Sequence, residues 1–278
     1  MNAQGAPPAK KVSVVVPVYN TEAFLVGCLD SLVNQTLDEI EIVVVNDGSP
    51  DGSQAIIDDY AARYPDKIVA LSKPNGGLGS ARNAGIARAT GRYIGFVDSD
   101  DFVEPDMYQH LYEEAERTSS DVAICRYRHY SLDESYSVVG GNFPFSEGDV
   151  FPSQGFFLNS HVMTVVNKIY RAELVRRVPF EDTWFEDVAW SPVAMSYAER
   201  ICYTPRVYYH YIMRDGTITT SHDDARTLEG LSSLRWALEH ANPERRDQVA
   251  YMAARRLLFD AQMRPAYADR FALAIHEL

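Results

Sequence analysis

Cysteine is scarce in this chain: three in 278 residues, Cys28, Cys125 and Cys202, far apart and mostly in apolar surroundings. An odd, scattered set indicates neither a disulfide framework nor a zinc site, and it suits a reducing, cytoplasmic setting. Cations are also short, 26 Lys and Arg against 39 Asp and Glu, for a formal net charge of −13. That balance argues against nucleic acid as a partner. The same field repels an anionic nucleotide, so such a ligand needs a metal ion or locally placed Arg and Lys to hold it. The apolar run behind the polar N-terminal segment is only strand-length, and neither a secretion signal nor a transmembrane segment is expected. There is no internal repeat or low-complexity tract, and no evident Ser-His-Asp or Cys-His nucleophile arrangement.

What the chain does have is an alternation of two patterns. Val12 to Val16, Ile40 to Val45 and Tyr93 to Val97 are short apolar runs, each a strand candidate buried on both faces. Between them lie helix-like stretches: Thr21 to Asn34, with Phe24, Leu25, Cys28, Leu29 and Leu32 at helical spacing, then Gly52 to Tyr64 and Leu78 to Ala89. Strands alternating with helices predict an α/β fold with a mainly parallel central sheet flanked by helices. Asp98-Ser99-Asp100-Asp101 follows the third run directly, so three carboxylates stand where open α/β sheets form their ligand crevices. Asp98 and Asp100 are two apart and project the same way from an extended chain, within reach of one divalent cation. Oxygen ligands without Cys or His favour Mg²⁺ or Mn²⁺ over Zn²⁺. A solvated turn ending a strand would use the same residue types.

Four tracts carry a resemblance. They are Val14-Val15-Val16-Pro17-Val18-Tyr19-Asn20, Val45-Asn46-Asp47-Gly48-Ser49-Pro50-Asp51-Gly52-Ser53, Asn75-Gly76-Gly77-Leu78-Gly79-Ser80-Ala81-Arg82-Asn83-Ala84-Gly85, and Gly91-Arg92-Tyr93-Ile94-Gly95-Phe96-Val97-Asp98-Ser99-Asp100-Asp101. In this order and spacing they resemble the GT-A catalytic domain of the inverting family 2 glycosyltransferases, a bacterial group that uses nucleotide-sugar donors. The resemblance implies a Rossmann-like GT-A fold in which Pro17 and Tyr19 line the uracil pocket, Asn20 belongs to the nucleotide-sugar site, Asp47 accepts the uracil N3 proton, and Arg82 lies on the nucleotide. A flat ring is well held by an aromatic or proline face and an edge acceptor, which these residue types supply. Asn75 and Gly76 begin a turn whose backbone can approach a ligand closely. By the same resemblance Asp98, Ser99 and Asp100 serve the diphosphate, with Asp98 and Asp100 as ligands of Mn²⁺ or Mg²⁺.

Further along, Thr183-Trp184-Phe185-Glu186-Asp187-Val188-Ala189-Trp190 resembles the Glu-Asp motif of the family, and Asn167-Lys168-Ile169-Tyr170 another recurrent piece. The resemblance makes Asp187 the general base and places Glu186 at the nucleotide-sugar site. In an inverting transfer the acceptor hydroxyl loses its proton as it attacks, so one carboxylate is wanted there. Acids in the first turn of a helix would serve the helix dipole equally. The tract Tyr208 to Ser221 resembles the segment that closes over the donor diphosphate, implying phosphate contact from Arg214 and a hydroxyl contact from Thr217 or Thr219. His210 is a candidate third metal ligand or diphosphate donor. The family often has Asp where this chain has Asn46.

The expected organisation is a flexible tail at 1–11, a catalytic domain at 12–222 and a C-terminal helical extension at 223–278. The nucleotide-binding half covers about 12–101 and the acceptor half about 102–222. Val122 to Tyr127 is expected as an edge strand, and Ser131 to Pro152 as loops or a β-ribbon over the acceptor cleft. The extension carries Arg245, Arg246, Arg255 and Arg256. Its basic side can meet anionic lipid peripherally at the inner face of the plasma membrane, or simply be solvated, and its apolar face can form a homo-oligomer contact. The expectation is a metal-dependent inverting transferase moving a hexose or N-acetylhexosamine from a UDP-sugar to a glycan or lipid-linked acceptor in cell-surface polysaccharide synthesis. A non-catalytic nucleotide-sugar-binding protein and a sugar nucleotidyltransferase are the alternatives.

Overall fold

The computed structural model describes residues 10–131, 137–159, 164–213, 229–263 and 267–277. Strands β1 (Val12–Val18), β2 (Ile40–Asn46), β3 (Ile68–Ser72) and β4 (Tyr93–Phe96) alternate with helices α1 (Glu22–Val33), α2 (Ser53–Arg63) and α3 (Leu78–Arg88). Every residue of β1, β2 and β4 is buried, which is why these segments read as unbroken apolar runs. They pair in parallel in the order β3-β2-β1-β4, with Val12 opposite both Ile40 and Tyr93. Helix α3 lies close on β1 because position 85 is glycine: a Cβ there would come within 2.3 Å of a Val15 methyl carbon. β3 adds to the strands expected from the sequence; after the buried Ile68 its residues alternate between partly buried and exposed, as befits the sheet's edge.

Beyond β4 the chain forms β5 (Phe102–Val103), α4 (Met107–Thr118), β6 (Val122–Ser131), β7 (Ser137–Gly140) and β8 (Val150–Phe151). Then come α5 (Ser153–Asn159), β9 (Lys168–Arg171), α6 (Ala172–Arg177), α7 (Glu186–Tyr197) and β10 (Ile201–Met213). Among the described residues all ten strands join one sheet, along the path β3-β2-β1-β4-β9-β6-β10-β5. The first four strands are parallel, but β9 runs antiparallel to both β4 and β6, so the sheet is mixed where a mainly parallel one was expected. β6 is not the edge strand foreseen. It lies inside the sheet, between β9 and β10, because strands from later in the chain pair with it on both sides. β7 forms an antiparallel ribbon with β6, in part of the segment expected as loops or ribbon.

The C-terminal part is helical: α8 (Glu229–His240), a short 3₁₀ turn, α9 (Arg246–Met263) and α10 (Ala268–Glu277). Leu234, Ala237, Val249, Met252, Leu257 and Phe271 are buried in the same apolar cluster as the strands of the sheet. Polar ties fasten these helices to α7 and the segment before it. Thr183 Oγ1 lies 3.1 Å from Ser233 Oγ, Asn242 N–H donates to Ser196 Oγ at 2.9 Å, and Arg245 donates to the carbonyls of Ser196 and Ala198. Among the described residues no helix is long and apolar enough to cross a membrane.

Candidate active site

Parallel strands present their carboxyl ends at one edge, and there the exits of β1, β2 and β4 converge. Pro17 is the penultimate residue of β1 and buried, and Tyr19, just past the end of the strand, is 51% exposed, its ring available to a ligand. Asn20 has a left-handed backbone (φ 54°) and donates its amide to Ser49 Oγ at 3.1 Å. Asn can hold this conformation where most residues cannot.

Asp47, at the exit of β2, is buried. Its carboxylate accepts from Lys73 Nζ at 2.5 Å, from Gly76 N–H at 3.1 Å and from Gly77 N–H at 2.9 Å. It therefore stitches the end of β2 to the turn that carries Asn75 and opens α3. Gly77 at the start of α3 has φ +86°, which a side-chain-bearing residue would adopt only at a cost. Lys73 was not singled out from the sequence; its ammonium donates to Asp47 and to the Pro74 carbonyl at 2.8 Å, so it serves the turn.

The Asp98 turn is held from beneath. Asp98 N–H donates to Tyr209 Oη at 3.2 Å, while Tyr209 O–H donates to Asp101 Oδ2 at 2.5 Å and Ile212 N–H to Asp101 Oδ1 at 2.8 Å. Asp101 is thus a buried bolt between the turn and β10, distinct in role from its two neighbours. Burial, followed by the charges of Asp100 and Asp98, holds its carboxyl well above the usual range. Ser99 is buried and exchanges a hydrogen bond with Thr21 Oγ1 at 2.9 Å, at the start of α1. Asp98 and Asp100 remain only partly buried at the turn.

Arg82 joins this turn to the second motif. The guanidinium, 2% exposed, donates from Nη2 to Asp98 Oδ1 at 2.7 Å and from Nη1 to Glu186 Oε1. Glu186 and Asp187 open α7; Glu186 is buried, whereas Asp187 is partly exposed and accepts the Val188 amide at 2.8 Å. One cation thus faces three acids. Burial works against the charge on Arg82, but Asp98, Glu186 and Asp187 outweigh it and hold its pKa above the ordinary value. Burial raises the carboxyl of Glu186, with Asp187 adding to the rise and Arg82 opposing it. Burial likewise raises Asp187, against the pull of Arg82 and Arg256. A site with more carboxylates than cations attracts a proton or a metal ion, the two species that a base or a diphosphate site handles.

Lys168 lies nearby in β9. Its buried ammonium donates within a cage of Thr164 O (2.9 Å), Thr164 Oγ1 (3.1 Å), Val166 O (3.1 Å) and Asn167 Oδ1 (2.8 Å). This cage folds the chain before β9 onto itself, and Asn167 contributes a left-handed residue (φ 59°).

His210 departs from its expected place. Tyr209 points to the Asp98 turn, so its neighbour on β10 points to the opposite face. There His210 Nε2 lies 2.8 Å from Glu104 Oε1 and Nδ1 3.0 Å from Tyr130 Oη, with its ring stacked on Phe102 at 4.4 Å. Both nitrogens are occupied within the protein, and among the described residues no three His, Cys, Asp or Glu side chains converge on a metal-sized site. The structure therefore does not make His210 a third metal ligand. Arg214 and Thr217 lie outside the described residues.

Comparison with known proteins gives a consistent picture. Residues 13–178 match the family model described as glycosyl transferase family 2. The chain is 52% identical over 122 residues to glycosyltransferase EpsJ of Bacillus subtilis (strain 168), covering 44% of this chain and 35% of that protein. It is 32% identical over 224 residues to glycosyltransferase GlyA of Streptococcus pneumoniae serotype 4, covering 75% of this chain and 31% of the relative. It thus spans about a third of the length of these two curated relatives. Among solved structures, S. aureus TarS 1–349 in complex with UDP-GlcNAc superposes with a TM-score of 0.75 at 25% identity, covering 91% of this chain and 73% of the other.

Proposed function

The chain belongs to glycosyl transferase family 2, and from that premise we propose that it is a metal-dependent inverting transferase. It moves a hexose or N-acetylhexosamine from a UDP-sugar to a hydroxyl of a glycan or lipid-linked saccharide, in cell-surface polysaccharide synthesis. The observation that carries this reading is the span of one guanidinium: Arg82 touches both Asp98, at the donor-side turn, and Glu186, next to the acid Asp187. That link supports a reading in which donor-side and acceptor-side groups work together. The TarS complex with UDP-GlcNAc supports a UDP-sugar as donor.

The chemistry then follows from the residues. Tyr19 offers an exposed ring face to a base. The acceptor hydroxyl attacks the anomeric carbon from the side opposite the diphosphate; the new C–O bond forms as the old one breaks, and UDP leaves with the electron pair. Asp187, partly exposed at the start of a rigid helix, takes the hydroxyl proton. Its raised proton affinity, set by burial and crowding acids, brings it nearer to neutral pH, where a base works best. No covalent sugar intermediate is required, so one partly exposed carboxylate suffices.

Two carboxylates would hold the metal in this reading. Asp98 and Asp100 are hard oxygen donors on one turn, and Mg²⁺ is commonly held by one or two carboxylates with the substrate's phosphates completing its shell. Mn²⁺ or Mg²⁺ bound there would neutralise charge on the departing diphosphate. A panel of UDP-sugars offered with glycan acceptors, in Mn²⁺ and in EDTA, tests the reading. We expect donor consumption only with metal, and product of inverted anomeric configuration. UDP binding without transfer to any acceptor would indicate a binding protein instead, and consumption of nucleoside triphosphate a nucleotidyltransferase.

A further inference from the structure

We infer that Arg82 is a positioning residue that locks the donor-side turn to the acceptor-side helix, and that it does not contact the nucleotide. The inference rests on the reading of Asp98 as a donor-side group and Asp187 as the base. The side chain leaves the middle of α3, is 2% exposed, and has no free face to offer a ligand. Its two terminal nitrogens go to carboxylates 16 and 104 positions away in the chain, on elements that nothing in the local sequence brings together.

The geometry is that of a spacer. The guanidinium sits 5.4 Å from the centroid of the Phe180 ring, which limits its tilt. Nε is buried and has no hydrogen-bond partner among the described residues. A guanidinium serving a single carboxylate can turn Nε toward it in a two-pronged pair. Here the prongs are instead divided between Asp98 and Glu186, at the expense of the third donor. A planar fork fixes two directions at once, and a lysine, with one compact charge, cannot. Glu186 so anchored fixes the first turn of α7, and with it the direction in which Asp187 meets an acceptor. Misplacing a reacting group by about 1 Å costs on the order of a hundredfold in rate.

The test uses the full chain and four proteins: wild type, Arg82→Lys, Glu186→Gln and the double variant. UDP affinity is measured by calorimetry with Mn²⁺ present, and kcat and donor KM in a transfer assay. A lock predicts that each single variant keeps UDP affinity within about threefold while kcat falls by about a hundredfold. It also predicts that the double variant is no slower than the slower single one, since both changes break one linkage. A loss of UDP affinity of about tenfold or more in Arg82→Lys, with kcat retained at saturating donor, would make Arg82 a nucleotide contact and overturn the inference. Multiplying losses in the double variant would overturn it as well. If Arg82→Lys does not fold, Glu186→Gln decides: a fall in kcat at constant UDP affinity supports the lock, and an unchanged kcat removes it. Wild-type protein that neither binds UDP nor transfers sugar would sink the proposed function itself, and the inference with it.

Discussion

Asp47 and Asp187 both stand near the carboxyl edge of the sheet, yet their surroundings treat them oppositely. Asp47 is matched by one lysine and two backbone amides, so its charge is met donor by donor and its place is structural as well as chemical. Asp187 stands beside the buried guanidinium that Asp98 and Glu186 already engage, feels the charges of Arg82 and Arg256 without an ion pair to either among the described residues, and accepts the adjacent Val188 amide. The first carboxylate holds a turn in shape. The second is raised by burial against the pull of two arginines, an environment that costs stability and that suits the general base proposed above. The same chain thus meets the charge of one acid donor by donor and leaves the other raised in proton affinity by burial.

Breaking the reactive side should have the larger effect. Asp187→Asn removes the proton acceptor while keeping its shape, and kcat should fall by about 10²–10⁴-fold with UDP affinity nearly unchanged; a variant with near-normal turnover would take Asp187 out of the mechanism. Asp47→Ala is the matching change on the settled side. It strands two amides and a half-buried lysine, and a denaturation curve should show a loss of about 2–3 kcal/mol, discounted for the partly solvated lysine. An unchanged midpoint would mean that the turn holds itself.

How much of this was legible in the sequence depended on distance along the chain. β1, β2 and β4 were legible because burial on both faces leaves a continuous apolar run, and the helices between them because of spacing. β3 was passed over since Val69 to Ser72 alternates between partly buried and exposed at the sheet's edge. The interior position of β6 could not be seen: its neighbour β9 arrives from later in the chain, with Ile169 opposite Ala123. The acidic motifs were legible as types at a spacing. What each acid does was not, because Asp101 is defined by Tyr209 and Glu186 by Arg82, both more than a hundred positions distant. The surroundings of His210 were not legible either: strand alternation carries it to the face opposite Tyr209, where Glu104, Tyr130 and Phe102 meet it.

Smaller effects sharpen the contrast. Tyr209→Phe leaves the ring but removes the O–H that reaches Asp101, so stability should drop by about 1–3 kcal/mol as the Asp98 turn loosens; a full-strength thermal midpoint would deny Asp101 its role as a bolt. The pH dependence is subtler. Burial raises the carboxyls of Glu186 and Asp187, so between their ordinary and raised pKa values the folded chain holds more protons than the unfolded one. Their contribution to stability is greatest below the ordinary carboxylate range and declines as pH rises through the raised values. In the transfer assay the same shift should place the acid limb of the kcat profile above the ordinary carboxylate range, and a limb near pH 4 would contradict it.

The central claim is that the edge formed by β1, β2 and β4 binds a uridine nucleotide with the help of a metal at Asp98 and Asp100. Calorimetric titration of UDP with and without Mn²⁺, on wild type and on Asp100→Ala, tests it most directly. The account predicts binding that needs both Mn²⁺ and Asp100. Equal affinity in all four titrations would contradict the metal site, and no binding in any of them would contradict the donor site.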